Sequence, residues 1–262
     1  MRKERHVVIR IWMSVTYGVL FCPLVVIIVM SFNGTNYGML PFAFTVDWYR
    51  YLFTQSELFP ATWLSLRLST IVCLSAVVVG TITALGVQYL PRSAARRFIV
   101  VSQLPIVIPW LVQAIALLLL FNFLGIGRSY LSLYLGNLVV VLPYVIMMVA
   151  GRFAEADRTP EDAARMLGAG PVRVFMDILL PMLFPGILSG ALMSFIVCFN
   201  AFCMQYFLSP FGVRTLPLEI FTLVRTGYKP DMNALATLLV VLSTVLVVLM
   251  NRLGYSAKKI FG

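Results

Sequence analysis

Six stretches of this chain, residues 11–31, 61–90, 98–124, 131–150, 183–206 and 233–251, are apolar over about the length that spans a bilayer, and none contains an Asp or Glu. Roughly 20 helical residues cross the hydrocarbon core, and a helix satisfies its backbone polar groups within itself. The expectation is an all-α integral membrane protein of six transmembrane helices, with residues 1–262 forming a single membrane domain. The second and third stretches exceed the minimum, which predicts tilt or extension beyond the bilayer. Arg67 is the only basic residue inside the six, near the start of the second, where its stem can snorkel to the interface.

Composition closes the alternatives. Charged residues make up 11% of the chain and hydrophobic ones 61%, against about 25% charged in a soluble domain. Too little charge remains for a solvated skin, and too much apolar surface for a disordered or disulfide-scaffold chain.

The net charge of +10 raises nucleic acid as a partner, but such binders gather Lys and Arg on one folded face. Here 14 of the 20 fall in alternate connections: Arg2, Lys3, Arg5 and Arg10; Arg92, Arg96 and Arg97; Arg152, Arg158, Arg165 and Arg173; Arg252, Lys258 and Lys259. The positive-inside rule then puts both termini and the loop 151–182 in the cytoplasm, with lipid rather than nucleic acid as the surrounding partner. The basic N-terminus and the apolar run after it imitate a signal peptide. The run is about twice as long as a typical h-region and Ser31-Phe32-Asn33-Gly34 is a poor cleavage site, so it reads as an uncleaved span. Cys22, Cys73, Cys198 and Cys203 lie inside apolar stretches without a C-x-x-C pair, and the sole His is His6. Neither a zinc site nor a Cys–His nucleophile can be assembled.

The outer connections 32–60 and 207–232 carry turn formers and aromatics: Asn33-Gly34, Asn36, Pro41, Trp48-Tyr49, Tyr51, Pro210, Gly212, Pro217 and Tyr228. Interfacial anchoring is the expectation for these aromatics, and docking of an external partner the alternative. The loop 151–182 has helix signals of its own. Thr159 supplies a capping hydroxyl, Pro160 suits the first helical position, and Glu161-Asp162 suits the helix dipole. Ala163, Ala164, Met166 and Leu167 continue the helix, and Gly168-Ala169-Gly170-Pro171 stops it. Residues 172–180 read as a second short helix, closed by Pro181 before the fifth span. A two-turn helix is too short to stand alone in water, so it packs either on its own membrane domain or in another protein's groove.

The run Asp162-Ala163-Ala164-Arg165-Met166-Leu167-Gly168, then nine residues and Ile178-Leu179-Leu180-Pro181, resembles the EAA loop of permease subunits of binding-protein-dependent ATP-binding-cassette importers. Asp162 stands where that pattern has Glu. Residues 109–126 and 216–243 resemble the second permease subunit of the polyamine (spermidine/putrescine) branch. The resemblance implies the type I importer permease fold in a bacterial inner membrane. It implies as partners a pair of cytoplasmic ATPase subunits that hold the ATP and magnesium, a second permease and a periplasmic solute-binding protein. Asp162, Ala163, Ala164 and Gly168 carry over as the ATPase-docking element, with Ile178, Leu180 and Pro181 joining it to the fifth span. No Walker A pattern occurs, so no cofactor is expected on this chain itself and it is not read as an enzyme.

Polar residues inside spans mark a solute path or interhelical glue. Candidates are Trp110, Gln113, Asn122, Asn137, Asn200, Gln205 and Tyr206. Polyamine-type relatives are understood to place acids after the third-span Pro and near the middle of the fifth span; here Trp110 and Asn200-Ala201 occupy those places. Moving a polycation without carboxylates is costly, and Trp offers only about 0.5–2 kcal/mol through its ring face. A small polar or zwitterionic solute, such as an amino-acid derivative, is therefore expected, with polyamine as the alternative. A secondary carrier or channel also fits six spans, but it predicts ionisable residues in the membrane. An intramembrane enzyme lacks its nucleophile, base or metal set, and a purely structural scaffold has no use for the spaced loop pattern.

Overall fold

The computed structural model describes residues 2–35, 41–227 and 229–261. Asn36 and Tyr228 lie outside the described residues, as do the side chains of Arg2, Lys3, Arg5, His6, Arg252, Lys258 and Lys259. The described chain is helical from end to end: α1 (Arg2–Met30), α2 (Asp47–Thr54), α3 (Leu58–Gln88), α4 (Arg92–Ser102), α5 (Leu104–Val107), α6 (Trp110–Phe123), α7 (Tyr130–Glu155), α8 (Thr159–Met166), α9 (Pro171–Val174), a π-helical turn (Phe175–Leu179), α10 (Leu180–Phe199), α11 (Phe202–Leu208), α12 (Leu216–Thr226) and α13 (Asp231–Phe261). All six apolar stretches are helical, but they are not six plain rods. Among the described residues, four helices are long and apolar enough to cross a membrane: Trp12–Met30, Leu58–Gln88, Tyr130–Glu155 and Pro171–Phe199. The expected third span is a broken one, Arg92–Val107 and Trp110–Phe123 meeting at 101°, and the last apolar stretch lies within α13, Asp231–Phe261.

The chain divides into two compact units. Thr62–Leu218 carries the larger core, centred on α7 and packed on α10 along their length, with α6 and α11 beside them. Glycine sets the spacing there. A Cβ on Gly80 of α3 would stand 2.7 Å from a methyl of Val145, and one on Gly190 of α10 would stand 3.1 Å from the Val145 Cα. A Cβ on Gly186 would meet Arg152 Cβ at 2.7 Å and the Met148 carbonyl at 3.0 Å. Val145 is thus enclosed from two sides by backbones that only glycine lets so near. The N-terminus of α7 is closed by a reciprocal serine pair: Ser132 N–H donates to Ser129 Oγ (3.1 Å), and Ser129 N–H donates to Ser132 Oγ (2.8 Å).

The other unit holds the two flanking stretches, up to Ala61 and from Glu219. There α13 packs on α1 and α2. The connection after α1 is knitted by its own groups. Gly34 N–H donates to the Ala43 carbonyl at 2.7 Å, Trp48 Nε1 donates to the Asn33 carbonyl at 2.8 Å, and the Ser31 and Tyr49 hydroxyls share a hydrogen bond of 2.7 Å. The polar atoms of Trp48 and Tyr49, expected at the headgroup level, are bonded to the chain itself, Trp48 to a carbonyl that the reversal leaves open and Tyr49 to the buried Ser31 hydroxyl. The last helix begins two residues before the expected span and brings an acid with it. Asp231 is buried and accepts from Ser56 Oγ at 2.6 Å, at the positive end of α13.

Candidate coupling loop and solute path

The loop helix α8 starts on a carboxylate, not on the expected threonine hydroxyl. Asp157 Oδ1 accepts from Thr159 N–H at 3.0 Å and from Thr159 Oγ1 at 2.6 Å, while Thr159 is already helical. Those bonds favour the charged form and hold the Asp157 carboxyl below its ordinary value. Glu161 is buried and pairs at 2.8 Å with Arg165 one turn on; that bond raises the Arg165 pKa, so its charge is fixed. Ala164 packs on the core, whereas Asp162 and Ala163 face outward.

Gly168 ends the helix for a conformational reason. Its φ is +83°, its N–H donates to the Arg165 carbonyl and the Ala169 N–H donates to the Ala164 carbonyl, both at 3.0 Å. This is a Schellman cap with glycine at the left-handed position. A Cβ there would meet nothing within 4 Å. The cap turns the chain just after Met166 and Leu167, which are each 89% exposed. Sequence reading treats these two as helix filler; the structure makes them the most exposed apolar pair of the loop. The cap therefore holds both side chains clear of the chain's own core.

Beyond Gly170 the expected short second helix is absent as a separate element. Pro171–Phe199 runs as one helical rod, widened at Phe175–Leu179, where Leu180 N–H bonds five residues back to Phe175 O. Pro181 explains the widening. Its ring would collide with the Asp177 carbonyl in a regular turn, and it has no N–H to return. Ile178 and Leu180 are half-buried and Pro181 is exposed; Val174, Leu179 and Leu183 supply the inward side chains.

Two breaks shape the candidate solute path. At the first, Ile108 is extended (ψ 130°), as a residue before proline prefers, and Pro109 caps a new helix that begins at Trp110. At the second, expected to lie inside the fifth span, no proline acts. Asn200 Nδ2 donates back to the Ile196 carbonyl at 2.9 Å, Phe202 N–H donates to the Asn200 carbonyl at 2.7 Å, and Ala201 takes φ −76°, ψ 60°. That is an inverse γ-turn. Gln205 Nε2 spans the break to the Cys198 carbonyl at 3.0 Å.

The candidates separate by burial. Gln205 and Asn137 are fully buried and Gln113 is 7% exposed, each with a side-chain oxygen lacking a protein partner. Asn122, Asn200 and Tyr206 lie at the surface, and Trp110 is half-buried against the core. Of the three inside, Asn137 Nδ2 donates to the Leu133 carbonyl of its own helix at 2.7 Å, and Gln205 bonds only across the break just described. Arg128, which no sequence signal marked, caps α11: Nε donates to the Ser209 carbonyl at 2.9 Å and Nη2 to the Tyr206 carbonyl at 3.1 Å.

With this geometry in hand, comparison with known proteins is direct. Residues 76–259 match the family model described as the binding-protein-dependent transport system inner membrane component. The spermidine/putrescine transport system permease protein PotC of Haemophilus influenzae is 36% identical over 91% of this chain and 93% of its own length. The putrescine transport system permease protein PotI of Escherichia coli is 33% identical over 84% and 81%. A bacterial ABC transporter that imports the acidic polysaccharide alginate superposes with a TM-score of 0.70 at 16% identity, 98% of each chain being covered. The fold is that of a type I importer permease. The chain belongs to the binding-protein-dependent transport system inner membrane components: it is a membrane-spanning permease subunit of an ATP-driven importer, polyamine type, whose ATPase is a separate subunit.

Proposed function

We propose that this permease forms half of the path for a small polar organic solute in a bacterial inner membrane and couples to its ATPase through α8. The outward face of α8 carries the proposal: Asp162 and Ala163 beside Met166 and Leu167, held out by the Gly168 cap at the head of the rod that becomes α10. That face enters a groove of one subunit of a cytoplasmic ATPase pair, which holds ATP and magnesium. Ile178, Leu180 and Pro181 carry its movement into the membrane. Both termini and this loop are cytoplasmic, following the basic residues. A second, homologous permease supplies the other half of the path, and a periplasmic binding protein delivers the solute to the outer face. Affinity purification of the tagged chain from its native membrane recovers the ATPase and second permease under this reading. Recovery of the chain alone or as a homo-oligomer overturns it in favour of a carrier.

Asn200, Asn122, Tyr206 and Trp110 are proposed to line the path, with Gln113 and Gln205 supporting them from inside. A set without carboxylates favours a zwitterion such as an amino-acid derivative over a polycation. The likeness to PotC and PotI favours polyamine as the second reading. Uptake of radiolabelled spermidine and γ-aminobutyrate by the reconstituted importer decides between them. Spermidine uptake that is lost on Asn200→Ala sinks the zwitterion.

A further inference from the structure

The backbone of α8 packs on α9 and the π-helical turn. Two of its arginines nevertheless reach a different helix. Arg158 Nη2 donates to Gln88 Oε1 at 3.1 Å, and Arg165 Nη2 donates to the Tyr89 hydroxyl at 3.5 Å. Gln88 is the last residue of α3 and Tyr89 follows it. Neither arginine is loose. The Arg158 guanidinium lies 4.5 Å from the centre of the buried Phe153 ring on α7, and Arg165 is braced by buried Glu161. The two cations sit at opposite ends of an eight-residue helix, so together they fix its orientation against α3 and not merely one point on it.

We infer that Arg158 and Arg165 are positioning residues that tie the coupling helix to the end of α3, so that movement of α8 is delivered to α3 as well as along its own rod into α10. This rests on the reading of α8 as the ATPase-docking helix. The seam makes the second route effective: α3 meets Val145 through Gly80, on the residue that α10 meets through Gly190. A displacement imposed at the Gln88–Tyr89 end therefore enters the packed core from the α3 side. Both bonds lie at the exposed surface, so removing their acceptors cuts the tie without opening the core.

The test alters only the α3 side, leaving α8 intact. The complete importer, with its cysteines replaced by serine, carries nitroxide labels at Ile82 on α3 and Leu188 on α10. Their separation is measured by pulsed EPR without nucleotide and after vanadate trapping. The wild type is expected to change its distance distribution. Gln88→Ala with Tyr89→Phe is expected to keep the ATPase bound while the vanadate-induced change in the α3 distance is lost. Gln88→Glu, which keeps an acceptor for Arg158, is expected to retain most of the change. An unchanged response in the double variant, no response in the wild type, or loss of the ATPase from the double variant alone overturns the inference. Failure of the wild-type chain to retain an ATPase overturns the docking reading instead.

Discussion

The α7–α10 seam and the loop helix α8 belong to one compact unit but treat their apolar side chains in opposite ways. At the seam, Gly80 and Gly190 bring backbones together until Val145 is fully enclosed, and Gly186 does the same against Met148 and Arg152. On α8, Gly168 serves no close packing; it turns the chain and leaves Met166 and Leu167 outside. The same residue type thus closes one surface and presents another. Under the proposed reading of α8, burial on one side and exposure on the other separate what the chain does for itself from what it offers to a partner.

Substitutions at the seam sharpen this contrast most. Gly190→Leu places a side chain against the Val145 backbone and is expected to cost about 1–3 kcal/mol or more, read as a lower midpoint in thermal aggregation of the detergent-solubilised protein. On α8, Leu167→Ser with Met166→Ser leaves that midpoint unchanged while recovery of the ATPase on the tagged chain falls about tenfold, the loss of a little over 1 kcal/mol at an interface anchor. Equal loss of stability in the α8 variant breaks the comparison. Gly168→Ala is expected to weaken coupling by about 1 kcal/mol through the left-handed backbone, and Gly168→Asn by less, since Asn tolerates that region. Were close approach of the partner the cause, Asn, the larger residue, would be the worse variant in the same ATPase recovery assay.

The smallest effect concerns pH. The Asp157 carboxyl is held below its ordinary value of 3.8. A depressed acid stabilises fully above its unfolded pKa and loses that contribution as pH falls through the folded one. Hydrogen exchange in α8 is therefore expected to keep the same protection from pH 5 to 8, once intrinsic rates are divided out, and to lose it only in acid below about 3.8. A change in protection near neutrality would show that another group starts this helix.

Much of this was legible in the sequence because the signals are local. Apolar length gave the helices, and Pro160, Glu161-Asp162 and Gly168 bracketed α8 to within a residue of its observed ends. The bend in the third span also had its marker in Pro109, although residues 98–124 read by length alone suggest a long tilted rod. Other features had no local marker. The break after Phe199 rests on Asn200 and on Gln205, whose bond to Cys198 exists only once the chain has turned. The surface position of Asn200 and the interior position of Gln205 differ although both are amides in one apolar run, because burial is decided by α6 and α7 packing beside them. Arg158 and Arg165 read as orientation charges; their partners, Gln88 and Tyr89, lie about 70 residues away.

The two breaks also differ in whether they can be undone. Pro109 has no N–H to give and its ring obstructs the preceding turn, so closing that joint into a straight helix costs about 3 kcal/mol in every state of the protein. The joint at Asn200 and Ala201 has no such covalent bar. Its residues all carry N–H groups, and what holds it open is a γ-turn and side-chain hydrogen bonds worth about 1 kcal/mol each. One break is a permanent corner of the chain, and the other is a joint whose two helices can anneal within thermal reach.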